Sequence, residues 1–455
     1  MEKSNTVNYG VMAVSALAYA ALAYSTPRAD FTQLLALYAL VFACYLYLIN
    51  SRLPLWHGIA AALFFRLLFL AAIPALSDDY FRFVWDGSLL HAGLNPYQYT
   101  PSAYMEAGMA PVAGITGELY LQLNSAEYYS VYPPVAQGIF WLAVKLFPGN
   151  LLANIIVMRV VLLLAEAGSV LLLLRLMRKM GLPDKNVLLY ALNPLVILEL
   201  VGNLHFEGLM IFFLLLSLHQ LFYQQRLAVS GLAMGLAIGT KLLPLMFLPF
   251  LLRKLGLQKF LLFGGVVLLT VIALFYPLVS VAVLRNFFQS LDLYFQRFEF
   301  NASVYYLLRW LGFRFAGYNV IHLLGPLLSL ATLGGIVAMA SVRKLGSVRR
   351  LSGYMAAALT LYFFLATTVH PWYITTLLAL TAMSHFRYAV TWSGLILLSY
   401  ATYRTSAYTE DLALVALEYT LVFLWLLVEL YLYRQRRRHA NLVAPDGQAD
   451  TLAQP

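Results

Sequence analysis

Charge is scarce in this chain: Asp, Glu, Lys and Arg make up 11% of its 455 residues. That excludes a soluble globular protein, which at this length needs far more polar surface to cover its core. Cysteine is almost absent. Lone Cys44 excludes an intrachain disulfide and a Cys-based metal cluster, and its apolar surroundings read it as a packing residue. There is no HExxH zinc signature. Runs of short alternating strands are missing, which excludes a membrane β-barrel. No internal repeat, low-complexity tract or detachable soluble domain is visible. Acidic residues are outnumbered, 20 against 30 basic, for a formal charge of +10. The basic excess sits in short connections and in "YRQRRRHA" near the C-terminus. That pattern orients a chain in a membrane and does not point to nucleic acid.

What is present is apolar: 62% hydrophobic residues and a mean hydropathy of +0.76. Apolar runs recur from end to end, predicting an all-α polytopic membrane protein with about 12–14 transmembrane helices. "VMAVSALAYAALAYS" could pass for a signal peptide. A second apolar run from Phe31 and the lack of a basic leader read it as an uncleaved first helix. Residues 1–438 form one membrane domain, and 439–455 a disordered cytoplasmic tail. Several expected spans are short and interrupted by Pro or Gly, as in "LYALNPLVILEL" and "TKLLPLMFLPFLL". Such breaks are tolerated in a bilayer where they line a polar cavity or pack inside protein. If the segment after Pro133 dips into the membrane without crossing, "RLMRKMGLPDK", "RKLGLQK", "VRKLGSVRR" and the Arg-rich tail share the cytoplasmic side. Both termini are then cytoplasmic. "SDDYFRFVWDG", "NLHFEG", "GTK", "TVHPWY" and "YRTSAYTED" gather on the outer face, with a long outer loop over 77–134. A loop of that length is more often functional than connective.

The candidate chemistry lies in those outer segments. Ser77 or Asp78 is placed to cap a helix in which Asp79, Arg82 and Asp86 share a face at i, i+3 and i+7. The plain alternative is a capped helix with an internal ion pair. Unused carboxylates at a membrane interface are costly, and a carboxylate here could deprotonate an acceptor hydroxyl. "NLHFEG" supplies His205 and Glu207, read as a helix-breaking turn, an acceptor-positioning pair, a second acid–base group or half of a metal site. Lys241 lies between two apolar segments and either snorkels to lipid or binds phosphate. Arg404 and His370 could serve the same anion, since cations stabilise charge growing on a departing phosphate. Tyr132 in "YYSVYPPVAQ", Asn301 in "FNASVYYLLR" and Tyr373 in "VHPWY" read as interfacial or pocket-lining residues. Asn301 also begins an N-x-Ser sequon, directly before an apolar stretch.

"SDDYFRFVWDGSLLHAGLNPYQYTP", followed by "VYPPVAQ", "FNASVYYLLR" and "HPWY", resembles the integral-membrane GT-C glycosyltransferases. The similarity is closest to bacterial polyprenyl-phosphate-mannose-dependent mannosyltransferases, and looser to the catalytic subunit of GPI mannosyltransferase I. The resemblance implies a helix bundle with its active site at the outer face of a bacterial inner membrane. It implies a polyprenyl-phosphate sugar donor, most often of mannose, and a lipid or glycan acceptor. Transfer would be a single inverting displacement with an Asp of the first outer loop as base. Carried over, Asp78 or Asp79 is that base, with the choice open because this chain has an adjacent pair. Arg82 and Asp86 orient the base or the sugar hydroxyls. Glu207 stands where many bacterial relatives carry Asp. No cofactor is required, although a divalent cation at Asp78, Asp79 and Glu207 stays open. On the residues alone, a flippase of lipid-linked sugars competes with the transferase, as does a non-catalytic scaffold. A flippase would show inverted repeats or a polar path along several spans, and neither is visible.

Overall fold

The structure is a computed structural model that describes residues 2–108, 111–341 and 345–443. Among the described residues it is helical, apart from an isolated parallel bridge between Phe300 and Thr368. Six helices are long and apolar enough to cross a membrane: Asn5–Tyr24, Phe31–Asn50, Leu151–Lys179, Leu257–Phe275, Ile321–Ala340 and Leu412–Arg436. Side-chain caps start several helices: Asp30 accepts from the Gln33 N–H at 3.0 Å and Asn150 from that of Ala153 at 3.0 Å, satisfying otherwise orphaned donors. Leu261, Leu262, Leu268, Leu269 and Ile272 stand exposed on Leu257–Phe275, as expected of a lipid-facing surface.

The other expected spans are short or bent. Asp184–Ala191 and Val196–Gly202 form a pair broken by 59°. Pro194 removes a backbone donor there, and the Asn193 carboxamide accepts the freed Leu195 N–H at 3.0 Å. Leu55–Leu67, Pro134–Leu146 and Leu227–Thr240 are apolar but short. Pro134–Leu146, at 13 residues, is about 20 Å long against about 30 Å of hydrocarbon. Among the described residues, six helices, or seven counting the bent pair, are therefore long and apolar enough to cross by length and composition. The final helix, Leu412–Val443, runs into the tail expected to be disordered. The rest of that tail lies outside the described residues.

Two buried arginines hold the broken region together. The Arg159 guanidinium donates to the carbonyls of Val201 (2.9 Å), Gly202 (2.8 Å), Leu70 (3.0 Å) and Ala72 (2.7 Å). One side chain thus satisfies two unwound segments that water cannot reach. Arg66 pairs with Glu166 at 2.9 Å, both fully buried, and donates to the Ala191 carbonyl at 2.7 Å. Tyr190 donates its hydroxyl to the same Glu166 at 2.7 Å. Leu204, beyond the bent pair, is fully buried at φ +62°, a left-handed conformation costing about 1–3 kcal/mol for a residue with a side chain. Packing holds it there and turns the chain toward His205.

The loop over 77–134 folds as Asp79–His91, Pro101–Glu106 and Gly117–Leu121, leading into Pro134–Leu146. Asp79–His91 packs directly on Pro134–Leu146, with Phe83 and Phe140 stacked at 4.5 Å and 8°. Gly87 permits that approach, because a Cβ there would lie 2.5 Å from the Phe140 carbonyl oxygen.

Candidate active site

Arg82 and Asp86 turn inward. Arg82 Nε donates to Asp86 at 2.8 Å, and its Nη1 donates to the carbonyls of Ser125 (3.0 Å) and Tyr128 (2.9 Å). Asp86 also accepts from Ser130 Oγ at 2.5 Å and Gln137 Nε2 at 2.8 Å. Both side chains are buried. They clasp the returning half of the loop, and the buried Arg82 Nη2 has no hydrogen-bond partner among the described residues.

The adjacent aspartates diverge. Asp78 occupies the N-cap position but makes no cap hydrogen bond; its carboxylate accepts from Arg28 at 2.6 Å. Ser77 Oγ accepts the Asp79 N–H at 3.3 Å. Arg28 also lies over the Tyr403 ring at 4.3 Å. Asp79 is half-buried and faces a different set of groups. It accepts from Asn124 Nδ2 at 3.4 Å, and the Tyr132 hydroxyl lies close enough to favour its ionised form. Burial raises its pKa above the ordinary carboxylate value; nearby Lys241 and these two donors oppose the rise, and Glu207 adds to it.

Lys241 follows Leu227–Thr240 in extended conformation. It bonds Glu207 at 3.0 Å and lies 5.5 Å from the Tyr132 ring centroid. The Tyr132 ring packs edge-on against Phe83 and Phe140. Phe300, His370, Trp372 and His205 form a continuous ring stack, with centroid separations of 5.0, 4.3 and 3.7 Å. Burial, then Lys241, lowers the pKa of His370 to about 3. Burial, then Lys241 and His370, pushes His205 well below the ordinary imidazole value. Both rings are therefore neutral at pH 7. Glu207 Oε2, His205 Nε2 and His370 Nδ1 are buried polar atoms with no hydrogen-bond partner among the described residues. Orphans of this kind are costly, and three around one lysine mark where a hydroxylated, anionic ligand would fit.

The remaining expected site residues differ in how they relate to this stack. Asn301, at φ +47°, donates its carboxamide to buried Glu418 at 3.2 Å and its N–H to Glu410 at 2.6 Å, and accepts from Tyr419 at 2.7 Å. It anchors the Phe300–Thr368 bridge and so places the ring stack. Tyr373 packs on Phe363 and edge-on against His370. Arg404, expected to share an anion with Lys241, instead contacts Asp411 at 3.6 Å and lies over the Phe31 ring at 4.3 Å. The cation paired with Asp78 is Arg28. Sequence reasoning missed Arg28, a loop cation in no motif, and Trp372, which it quoted only within "HPWY". It also missed Glu199, although a carboxylate inside "LVILELVG" was itself a signal. Among the described residues, no group of three or more His, Cys, Asp or Glu side chains could hold a metal ion. The Asp78 carboxylate bonds Arg28, whereas Asp79 and Glu207 lie near Lys241.

A family model described as alpha-(1->6)-mannopyranosyltransferase, N-terminal domain, matches residues 10–255. The match includes Asp79, His205, Glu207 and Lys241, whereas His370 and Trp372 lie beyond it. Alpha-(1->6)-mannopyranosyltransferase A of Mycobacterium tuberculosis is 28% identical over 293 residues, 60% of this chain and 53% of that protein. The chain spans about half the length of this curated relative. With more than half of its residues inside the family model, the chain belongs to the alpha-(1->6)-mannopyranosyltransferase family.

Proposed function

We propose that this protein is a mannosyltransferase that takes a hexose, mannose by family, from a polyprenyl phosphate and delivers it to a lipid or glycan hydroxyl. The site faces the non-cytoplasmic side, since the basic connections then lie together in the cytoplasm. The observation that carries the reading is the placement of Asp79 beside Lys241, with orphaned acceptors around them. Asp79 takes the proton of the acceptor hydroxyl, and that oxygen attacks the anomeric carbon. The bond from that carbon to the phosphate oxygen breaks, and the polyprenyl phosphate leaves with the bonding pair. Lys241 stabilises the charge on the departing phosphate. A monophosphate leaving group needs less neutralisation than a diphosphate, so the proposed reaction needs no metal. Asp79 is assigned as base over Asp78 because Asp78 is held in an ion pair with Arg28.

The test is transfer by purified protein in nanodiscs, supplied with radiolabelled polyprenyl-phosphate mannose and host lipid extract. Wild type is expected to form a labelled product, and Asp79→Asn to lose roughly 100- to 10,000-fold in rate, the usual range for a general base. Asp79→Asn at wild-type rate would remove the base. Donor transport into sealed liposomes without transfer would replace the transferase with a flippase.

A further inference from the structure

His205 and Glu199 form a buried dyad to which the reaction above gives no task. Glu199 lies in the π-helical turn Val196–Gly202 and is fully buried. Its carboxylate accepts from the Tyr400 hydroxyl at 2.8 Å and from Asn203 Nδ2 at 3.2 Å. His205 Nδ1 lies 3.3 Å from the Glu199 carbonyl oxygen and 3.5 Å from its carboxylate. The backbone carbonyl, the nearer of the two, only accepts. The proton of the neutral ring therefore sits on Nδ1, and Nε2 carries a lone pair. That nitrogen is buried and has no partner among the described residues. Trp372 stacked at 3.7 Å and 16° holds the ring plane, and buried Leu204, at φ +62°, sets the backbone immediately before it.

We propose that His205 Nε2 accepts a hydrogen bond from one sugar hydroxyl of the substrate, and that Glu199 is the positioning residue that fixes the tautomer for that contact. The inference rests on the transferase reading and goes beyond it by naming a specificity-determining contact separate from the base. The hydroxyl belongs either to the transferred sugar or to the acceptor. The two sources share one chemistry: a donor pointed at a neutral imidazole. A site built to receive a hydroxyl discriminates strongly against an analogue lacking it, because its own buried atom is left unpaired.

The experiment measures kcat/KM with monodeoxy analogues, first of the donor sugar and then of the acceptor. Wild type is compared with His205→Phe, which keeps a ring on Trp372 and removes the acceptor atom, and with His205→Gln, which keeps an acceptor near the Nε2 position. His205→Phe is expected to lose roughly 10- to 100-fold on the full substrate, the range for a buried hydrogen bond left unmade. It should match wild type on one monodeoxy analogue only, and that analogue shows whether donor or acceptor supplies the hydroxyl. His205→Gln should recover part of the loss, and Glu199→Gln should show a weaker loss that likewise vanishes on that analogue. An even loss across all analogues, in both the Phe and Gln variants, would make the dyad structural and overturn the proposal. A wild type that turns over no sugar donor is a different failure: it removes the transferase reading, and this contact with it.

Discussion

At the level of single residues, the adjacent carboxylates Asp78 and Asp79 stand in different surroundings. Asp78 is partly exposed and paired with Arg28. Partly exposed pairs of this kind contribute little, up to about 1 kcal/mol, so Asp78→Asn should keep transfer within a few-fold of wild type in the same assay. Asp79 is raised chiefly by burial, and the sign of that shift has two consequences. As a base it must be ionised, so kcat/KM falls as pH drops through its folded-state pKa. The acid limb should therefore lie above the ordinary aspartate range, and an unshifted limb would count against Asp79. For stability, a carboxyl raised in the folded state is disfavoured when ionised, so it opposes folding above that pKa. Asp79→Asn should accordingly melt no lower than wild type at pH 7–8 while losing activity; a lower Tm there would mean that its ionised hydrogen bonds outweigh its burial.

At the level of elements, the site depends on how closely two short helices approach. Asp79–His91 lies against Pro134–Leu146 through Gly87 and the Phe140 backbone, where a Cβ would sit at 2.5 Å. Backbone cannot yield as a flexible side chain does. Gly87→Ala should cost about 1–3 kcal/mol by overpacking, partly offset by the gain of about 1 kcal/mol in helix propensity. It should also shift Asp79 and reduce transfer. Thermal melting in nanodiscs checks the first effect; a variant as stable as wild type would mean that the helices can separate at little cost. The clasp of Arg82 on Ser125 and Tyr128 belongs to the same element pair. The sequence marked the face shared by Asp79, Arg82 and Asp86, but helical spacing does not say which side chain meets a loop returning some 40 residues later.

Across the whole molecule, the site joins two parts of the chain. Asp79, His205, Glu207 and Lys241 lie within the family match at 10–255, whereas Phe300, His370 and Trp372 come from the later half. The Phe300–Thr368 bridge and the Asn301–Glu418 contact bring that half in. The proposed orientation is testable with Cys44 replaced by Ser and single cysteines at Gln122 and Gly346, both exposed positions. A membrane-impermeant maleimide should label Gln122→Cys and spare Gly346→Cys in intact cells. The reverse would invert the orientation.

The sequence alone determined that this is an α-helical membrane protein. Scarce charge and long apolar runs are properties of composition and spacing, and the bilayer acts on them locally. It also marked Asp79, His205, Glu207, Lys241 and His370, because polar groups are conspicuous against an apolar background. Only the tertiary structure separated the surroundings of Asp79 from those of Asp78, joined Arg82 and Asp86 to the returning loop, paired Arg404 with Asp411, and placed Arg28 and Glu199 beside the candidate site. Those outcomes depend on which buried donor meets which acceptor across distant segments. Burial and partner choice are pairwise, long-range quantities that local spacing does not contain.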